Sequence, residues 1–347
     1  MEKGEIMKRK EILLSSIFII LIASSSTYFL SLENKNSKKE LDVMKKEESV
    51  LSYIENQEEY NPEYQIFYEQ IRYREEENFF NEINTLLDLN YTPEDINNIY
   101  DYLRPENREK ILSMEKVELK NYYSISNFEV EKIARYEEYQ QKNNYTLTEA
   151  VLKVNIGLDH DFYTEIEPIK NKEEYTVLVN KYRSLEDYVP TDLKSLSYDT
   201  KYMLREQAAD AFEKLVSAAK LDNIFIRPYS AYRSYEYQES LYEHYVNQDG
   251  KELADTYSAR PGHSEHQTGL AVDVWSEGAT EIKESDAKWL QDNSYKYGFI
   301  IRYTKENESI TGYIEEPWHL RYLGIEIATD VYNKGITYDE YYDLCIK

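Results

Sequence analysis

Apolar positions along the chain follow three different rhythms, and each predicts a different kind of element. Ile12 to Leu32 is an uncharged run of about 20 residues, long enough to cross a ~30 Å hydrocarbon layer as a helix. Residues 33–52 are charged and carry no apolar period, so they read as a solvated tether. From Tyr53 to about Asn155 the apolar spacing is helical, with Phe79, Phe80, Ile83, Leu86 and Leu87 as its clearest stripe. Thr92 before Pro93, Ser126 before Asn127, and Thr146 three residues ahead of Glu149 mark helix starts there.

The texture changes near residue 173. A strand is expected over Tyr175–Asn180, then an amphipathic helix over Leu204–Lys220 with Leu204, Ala208, Phe212, Leu215 and Ala219 on one stripe. A strand beginning at Ile224 leads into the turn Ser230 to Ser234 and a helix from Tyr235 to Val246. Further strands are expected over Leu270–Trp275 and Tyr297–Tyr303, with helices from Asp286 and over Ile325–Lys334. Helices and strands segregate, so the expected class is α+β: a small antiparallel sheet with flanking helices. The domain plan is a cytoplasmic tip and anchor (1–32), the tether (33–52), a helical domain (53–155) and a chemistry-bearing domain (173–347).

Lys8, Arg9 and Lys10 precede the first apolar run, which places that end in the cytoplasm and everything after it outside the cell. Small residues at Ala23 to Ser26 leave a cleaved signal as the alternative to a retained single-pass membrane anchor. The net charge of -25, from 66 acidic and 41 basic residues, excludes nucleic acid as a partner, because no basic stripe is present to neutralise phosphates. The 36 tyrosines read as compositional bias rather than as a binding device. Cys345 is the single cysteine, so neither an internal disulfide nor a thiolate cluster is available.

Candidate chemistry therefore rests on histidine and carboxylate. In the run Leu270–Trp275, Leu270, Val272 and Val274 share one face and Ala271, Asp273 and Trp275 the other. An aspartate inside an apolar strand needs a partner. His266 lies upstream across Gly269, and His319 downstream. Two imidazoles and a carboxylate suit Zn²⁺, which lowers the pKa of a water to about 7. Glu316, three residues before His319, is the candidate general base, and Pro317 makes the geometry there a tight loop or strand end. Arg233, on the strand-to-helix turn, is the candidate donor for a developing oxyanion, with a plain salt bridge as its other reading. His263 is expected to be a loop residue, and His160 and His244 ordinary surface or core histidines.

The combination resembles the VanY-type D-alanyl-D-alanine carboxypeptidases. Ser264, His266, Gly269, Ala271 and Asp273 match their S-x-H-x-x-G-x-A-x-D signature, and Glu316 with His319 matches their E-x-x-H. Ser230 to Ser234 followed by Gln238 looks like their strand-turn motif, and Val179–Tyr182 with Asp187–Pro190 like their domain entrance. The likeness runs from about Tyr175 to Gly324. It implies the zinc peptidase fold shared with lysostaphin-like enzymes, with zinc on His266, Asp273 and His319, Glu316 as the base and Arg233 assisting the substrate carbonyl. Ser264 and Gln238 are then expected to contact substrate. The implied reaction is removal of the C-terminal D-Ala from peptidoglycan stem peptides. An L,D-carboxypeptidase acting on tetrapeptide stems, or a wall-binding module that keeps the zinc fold for structure, is the alternative. Oligomeric state is left open.

Overall fold

A computed structural model describes residues 61–347 apart from positions 69, 73, 75 and 77. The apolar run Ile12–Leu32, the tether, and the start of the helical region lie outside the described residues. Among the described residues no helix is long and apolar enough to cross a membrane. The chain divides into two compact units between Ser126 and Asn127.

In the first unit, helices Phe79–Asp88 and Pro93–Tyr102 bury the faces that their spacing calls for: Phe79, Ile83, Leu86 and Leu87 from one, Ile96, Ile99 and Tyr100 from the other. Thr92 and Asp95 close a reciprocal capping box at the start of the second, satisfying two of its orphan N–H groups.

The second unit begins earlier than the sequence suggests. Helices Ile133–Asn143 and Leu147–Asn155 belong to it rather than to the preceding helical domain. The Asn127 and Asn155 side chains both donate to Asp343 near the C-terminus, at 2.5 and 3.1 Å, which ties this segment to the end of the chain. Asn127 is therefore spent on a tertiary contact, and the expected helix start at Ser126 is replaced by a 3-10 turn at Val130–Lys132.

Eight strands follow. A parallel pair joins β1 (Glu167–Pro168) to β2 (Arg183–Ser184), and an antiparallel pair joins β3 (Leu193–Ser195) to β4 (Met203–Arg205). The central sheet contains β5 (Ile226–Ser230), β6 (Ala271–Ser276), β7 (Phe299–Tyr303) and β8 (Glu316–Tyr322) in the order β5-β6-β8-β7, antiparallel throughout. Helix Glu206–Leu221 lays Ala208, Phe212, Leu215 and Ala219 into the same core as Leu270, Val272, Val274, Phe299 and Leu320. Leu204, expected on that helix, sits in β4 and is buried in the same core.

The strand expected over Tyr175–Asn180 does not form. Its carbonyls are taken by side chains instead: Arg321 Nη2 donates to Tyr175 O and Val177 O, and Tyr338 Oη to Thr176 O. With the backbone acceptors satisfied in this way, the buried Val177, Leu178 and Val179 stay inside without a ladder partner.

Candidate metal centre

Two cross-strand neighbours form the base of the site. Asp273 of β6 pairs in register with Ser230 of β5 on one side and His319 of β8 on the other, so one row across three strands carries the turn residue, the aspartate and the histidine. Directly opposed residues on one sheet face stand close enough for their side chains to share an atom. The alternation expected for β6 holds: Leu270, Val272 and Val274 enter the core while Asp273 faces the other way. His266 arrives from a 3-10 turn at Glu265–Thr268 that ends on Gly269, whose positive φ of 68° lets the chain reverse into β6.

The donor atoms of His266, Asp273 and His319 all lie within 4.8 Å of one another, and all three residues are buried. His266 Nε2 is 3.1 Å from Asp273 Oδ2, and His319 Nδ1 is 3.1 Å from Asp273 Oδ1. The two imidazoles meet edge-on, with ring centres 5.0 Å apart. Each ring has its other nitrogen committed: His266 Nδ1 is 2.7 Å from Ala231 O and His319 Nε2 is 3.1 Å from Glu265 Oε2. Such outer contacts hold a ligating imidazole in one tautomer and one orientation.

Asp273 Oδ1 is buried and faces only the His319 ring, and a carboxylate oxygen so enclosed is costly unless a cation meets it. Burial would raise the Asp273 pKa, but His266, His319 and Arg233 hold the carboxyl well below its ordinary value. Burial, with Arg233 beside it, pushes His266 down to about 4, leaving a neutral ring whose Nε2 lone pair faces Arg233 Nη2 at 3.0 Å. His319 is buried too, yet its contacts with Asp273 and Glu265 raise it to about 9. A divalent ion would replace a proton on its Nδ1. The residues therefore fit Zn²⁺.

Glu316 stands at the start of β8 with Oε2 3.6 Å from His319 Nδ1. Strict two-residue alternation would put residues three apart on opposite faces. The register between β7 and β8 slips between Ile301 and Tyr303, which frees the Pro317–Trp318 segment and lets Glu316 lie beside His319. Pro317 also lies beyond the last β6 pair, Asp273 with His319, so its missing N–H costs no bond to β6. Burial raises the Glu316 pKa to about 7.

Arg233 points into the same space. Its Nη2 is 2.7 Å from Asp273 Oδ2, its Nε donates to Ser230 Oγ at 2.8 Å and its Nη1 to Gln238 Oε1 at 3.1 Å. Gln238 is thus not where a substrate contact belongs. It is 1% exposed, and its amide nitrogen donates to Ala259 O at 2.8 Å. It holds Arg233 from behind. Ser264, at the start of the 3-10 turn, is buried as well, at 3% exposure. His263 is structural, with Nδ1 2.8 Å from Asn180 O and its ring edge-on to Tyr163.

One residue of the site escapes sequence reasoning. Glu265 is fully buried and receives Arg302 Nε at 3.0 Å, Arg321 Nη1 at 2.9 Å and the His319 ring. Burial alone would raise its pKa, but Arg302, Arg321 and His319 hold it far below the carboxylate range. Arg302 in turn reaches Asp339 at 2.8 Å. The signal available in the sequence is indirect: arginines embedded in the apolar strands at Arg302 and Arg321 demand a buried carboxylate.

A buried two-histidine, one-aspartate centre with an unligated carboxylate alongside defines a metallohydrolase. The VanY D-alanyl-D-alanine carboxypeptidase family matches residues 201–325. A putative carboxypeptidase, YodJ, of Bacillus subtilis is 41% identical over 192 residues, covering 51% of this chain and 70% of that protein. A D-alanyl-D-alanine carboxypeptidase of Enterococcus faecium is 31% identical over 252 residues, covering 70% of this chain and 74% of that one. That span is longer than the second unit, so the likeness reaches into the helices before it. Among solved structures, the LdcB LD-carboxypeptidase is 40% identical with a TM-score of 0.48, covering 52% of this chain and 91% of that one. The chain belongs to the VanY-type D-alanyl-D-alanine carboxypeptidase family and is a zinc carboxypeptidase.

Proposed function

We propose that His266, Asp273 and His319 hold the zinc, that Glu316 is the general base, and that the protein removes the terminal D-Ala from peptidoglycan stem pentapeptides. The observation that carries the role of Glu316 is its position: a buried carboxylate 3.6 Å from a ligand nitrogen yet outside the ligand set. When bound, zinc supplies a Lewis acid that polarises the scissile carbonyl and acidifies the attacking water. Glu316, ionised, takes the proton of that water as its oxygen bonds to the carbonyl carbon. The same carboxyl then gives the proton to the departing D-Ala nitrogen as the C–N bond breaks. Arg233, fixed by Ser230 and Gln238, faces the negative charge that grows on the carbonyl oxygen. Ser264 beside His266 offers a hydroxyl to the peptide backbone.

The deciding experiment incubates the zinc-loaded protein with a pentapeptide ending in D-Ala-D-Ala and, separately, with the tetrapeptide ending in a single D-Ala. Release from the pentapeptide that disappears in Glu316→Ala supports the reading. Release from the tetrapeptide alone replaces it with L,D-carboxypeptidase activity, and binding of wall material without release with a wall-binding module.

The location follows from the uncharged run Ile12–Leu32 and the basic residues before it, which support a single-pass tether with the catalytic unit outside the cell. Recovery of the full chain in the membrane fraction with its N-terminus intact supports the tether. A mature N-terminus just after Ala23–Ser26, in the culture medium, supports secretion.

A further inference from the structure

Beside the metal centre the sheet carries an aromatic pair that the proposed mechanism leaves without a task. Trp275 stands two residues from Asp273 on β6 and on the same face, and it is the one residue of that strand that is not buried. Tyr229, on the edge strand β5, lies parallel to it, with ring centres 3.7 Å apart and planes 11° from parallel. The register between β5 and β6 slips between Pro228 and Ser230, so Tyr229 is an extra residue. Such a bulge re-aims a side chain, and here it turns Tyr229 onto the face that carries Asp273. Rings left to themselves prefer offset or edge-on contact, so the strands impose this parallel overlap. Tyr229 remains 48% exposed, which leaves ring surface of the pair open to solvent.

The rim of this platform is polar and unspent. Arg227, opposite Trp275 in register, holds its guanidinium 5.3 Å from the indole centre and donates to Ala279 O at 3.1 Å. Among the described residues neither the Trp275 indole N–H nor the Tyr229 hydroxyl bonds to another protein group. Tyr245, on the helix that follows Arg233, joins the platform to the site. Burial raises its pKa, Arg233 lowers it, and Tyr229, Tyr237 and Asp273 raise it, so its hydroxyl lies in the field of both.

An apolar plane with donors at its rim fits a ring that is apolar on its faces and carries acceptors around its edge. A pyranose has that form: its C–H bonds line the faces, and its hydroxyl and acetamido groups radiate outward. Charge points the same way, because a net -25 disfavours anionic polymers and lipids but not a neutral sugar. Reach agrees as well. Four residues of a stem pentapeptide separate the scissile bond from the sugar that bears the peptide, a span of up to about 14 Å. Trp275 is about 7 Å along the strand from Asp273.

Resting on the carboxypeptidase reading above, we propose that Tyr229 and Trp275 stack on a neutral, N-acetylated pyranose of the glycan strand that carries the stem peptide, with Arg227 and the indole N–H meeting its edge. Pentapeptide still attached to its glycan is then the preferred substrate. Composition accounts for the number of tyrosines in the chain, but not for a tyrosine bulged onto an indole beside the metal.

The probe is the β-1,4-linked tetramer of N-acetylglucosamine, which has the sugar backbone and no peptide, titrated calorimetrically into the zinc-loaded full chain. Wild type is expected to bind it with quenching of tryptophan fluorescence, and Tyr229→Ala and Trp275→Ala each to weaken binding about tenfold. KM for a glycan-attached pentapeptide should lie several-fold below that for the free pentapeptide, and either substitution should bring the two values together. Tyr229 is largely at the surface, so if Trp275→Ala fails to fold, Tyr229→Ala and the wild-type measurements still decide. Absence of tetramer binding, equal KM values in the wild type, or a preference that survives both substitutions would overturn the proposal. Self-association that Tyr229→Ala abolishes, read by sedimentation, would give the platform to a second copy of the chain and overturn it too. D-Ala release from the free pentapeptide, measured on the same preparation, separates this failure from a failure of the carboxypeptidase reading.

Discussion

His319 Nε2 lies 3.1 Å from the carboxylate of Glu265, a side chain with no solvent exposure at all. The contact sits at one end of a buried chain of charges that runs from the metal centre through Glu265 and Arg302 to Asp339. A metal-ligating imidazole whose far nitrogen is bonded to a carboxylate is oriented and made more basic. On the proposed ligand set, control of the metal extends to residues that touch neither metal nor substrate.

Replacing Glu265 by Gln keeps the shape but removes the charge that Arg302 and Arg321 surround. Zinc affinity is expected to fall by about 10- to 100-fold. The melting temperature should fall as well, because buried Arg321 loses its carboxylate partner and Arg302 keeps only Asp339. Chelator competition and thermal unfolding check the two effects separately. Unchanged affinity would show that the carboxylate does not orient His319.

Glu316→Gln should leave bound zinc near one equivalent while lowering kcat by at least about 10²-fold, the usual range for loss of a positioned base. Metal analysis and D-Ala release on the same sample provide the comparison. A variant that loses its zinc would place Glu316 among the ligands instead.

The raised pKa of Glu316 has a sign that can be checked in the metal-free protein. Its carboxyl titrates near 7 when folded against an ordinary value of 4.5, so the folded state holds the proton more tightly. Its contribution to stability is therefore fully present below about pH 4.5 and is lost as pH rises through 7. Metal-free Glu316→Gln should accordingly gain stability relative to wild type between pH 5 and pH 8, as read from denaturant midpoints. In the zinc-loaded enzyme the neighbouring cation favours the ionised form, and kcat/KM should fall on the acid side through a midpoint below 7.

Gln238→Leu removes the acceptor that steadies Arg233 Nη1 and leaves Ala259 O without its donor. The expected result is a drop in kcat of roughly tenfold with KM for the pentapeptide little changed, since Arg233 acts on charge that develops only in the transition state. A rise in KM at constant kcat would instead assign Gln238 to substrate binding.

Much of the centre is legible in the chain because its parts obey local rules. Asp273 stands out as a charge on an apolar strand, and the turn at Gly269 brings His266 toward it. Glu265 gives no such signal: its need arises from Arg302 and Arg321 on two other strands, and only folding brings those together. The segment Tyr175–Asn180 has a strand-like composition, but Arg321 and Tyr338 bond its carbonyls in place of a neighbouring strand. Gln238 shares the same limit, since a motif position does not say whether its amide faces substrate or a neighbouring arginine.

By itself the sequence determined which histidines and carboxylates are the candidates for a metal set and its base, and that Asp273 lies on a strand, because period and spacing are written in consecutive residues. Tertiary structure alone decided which row of the sheet aligns Ser230, Asp273 and His319, and which buried ions steady that row. Register and burial are properties of distant segments meeting, and the cost of an unpaired buried charge makes only one such meeting stable.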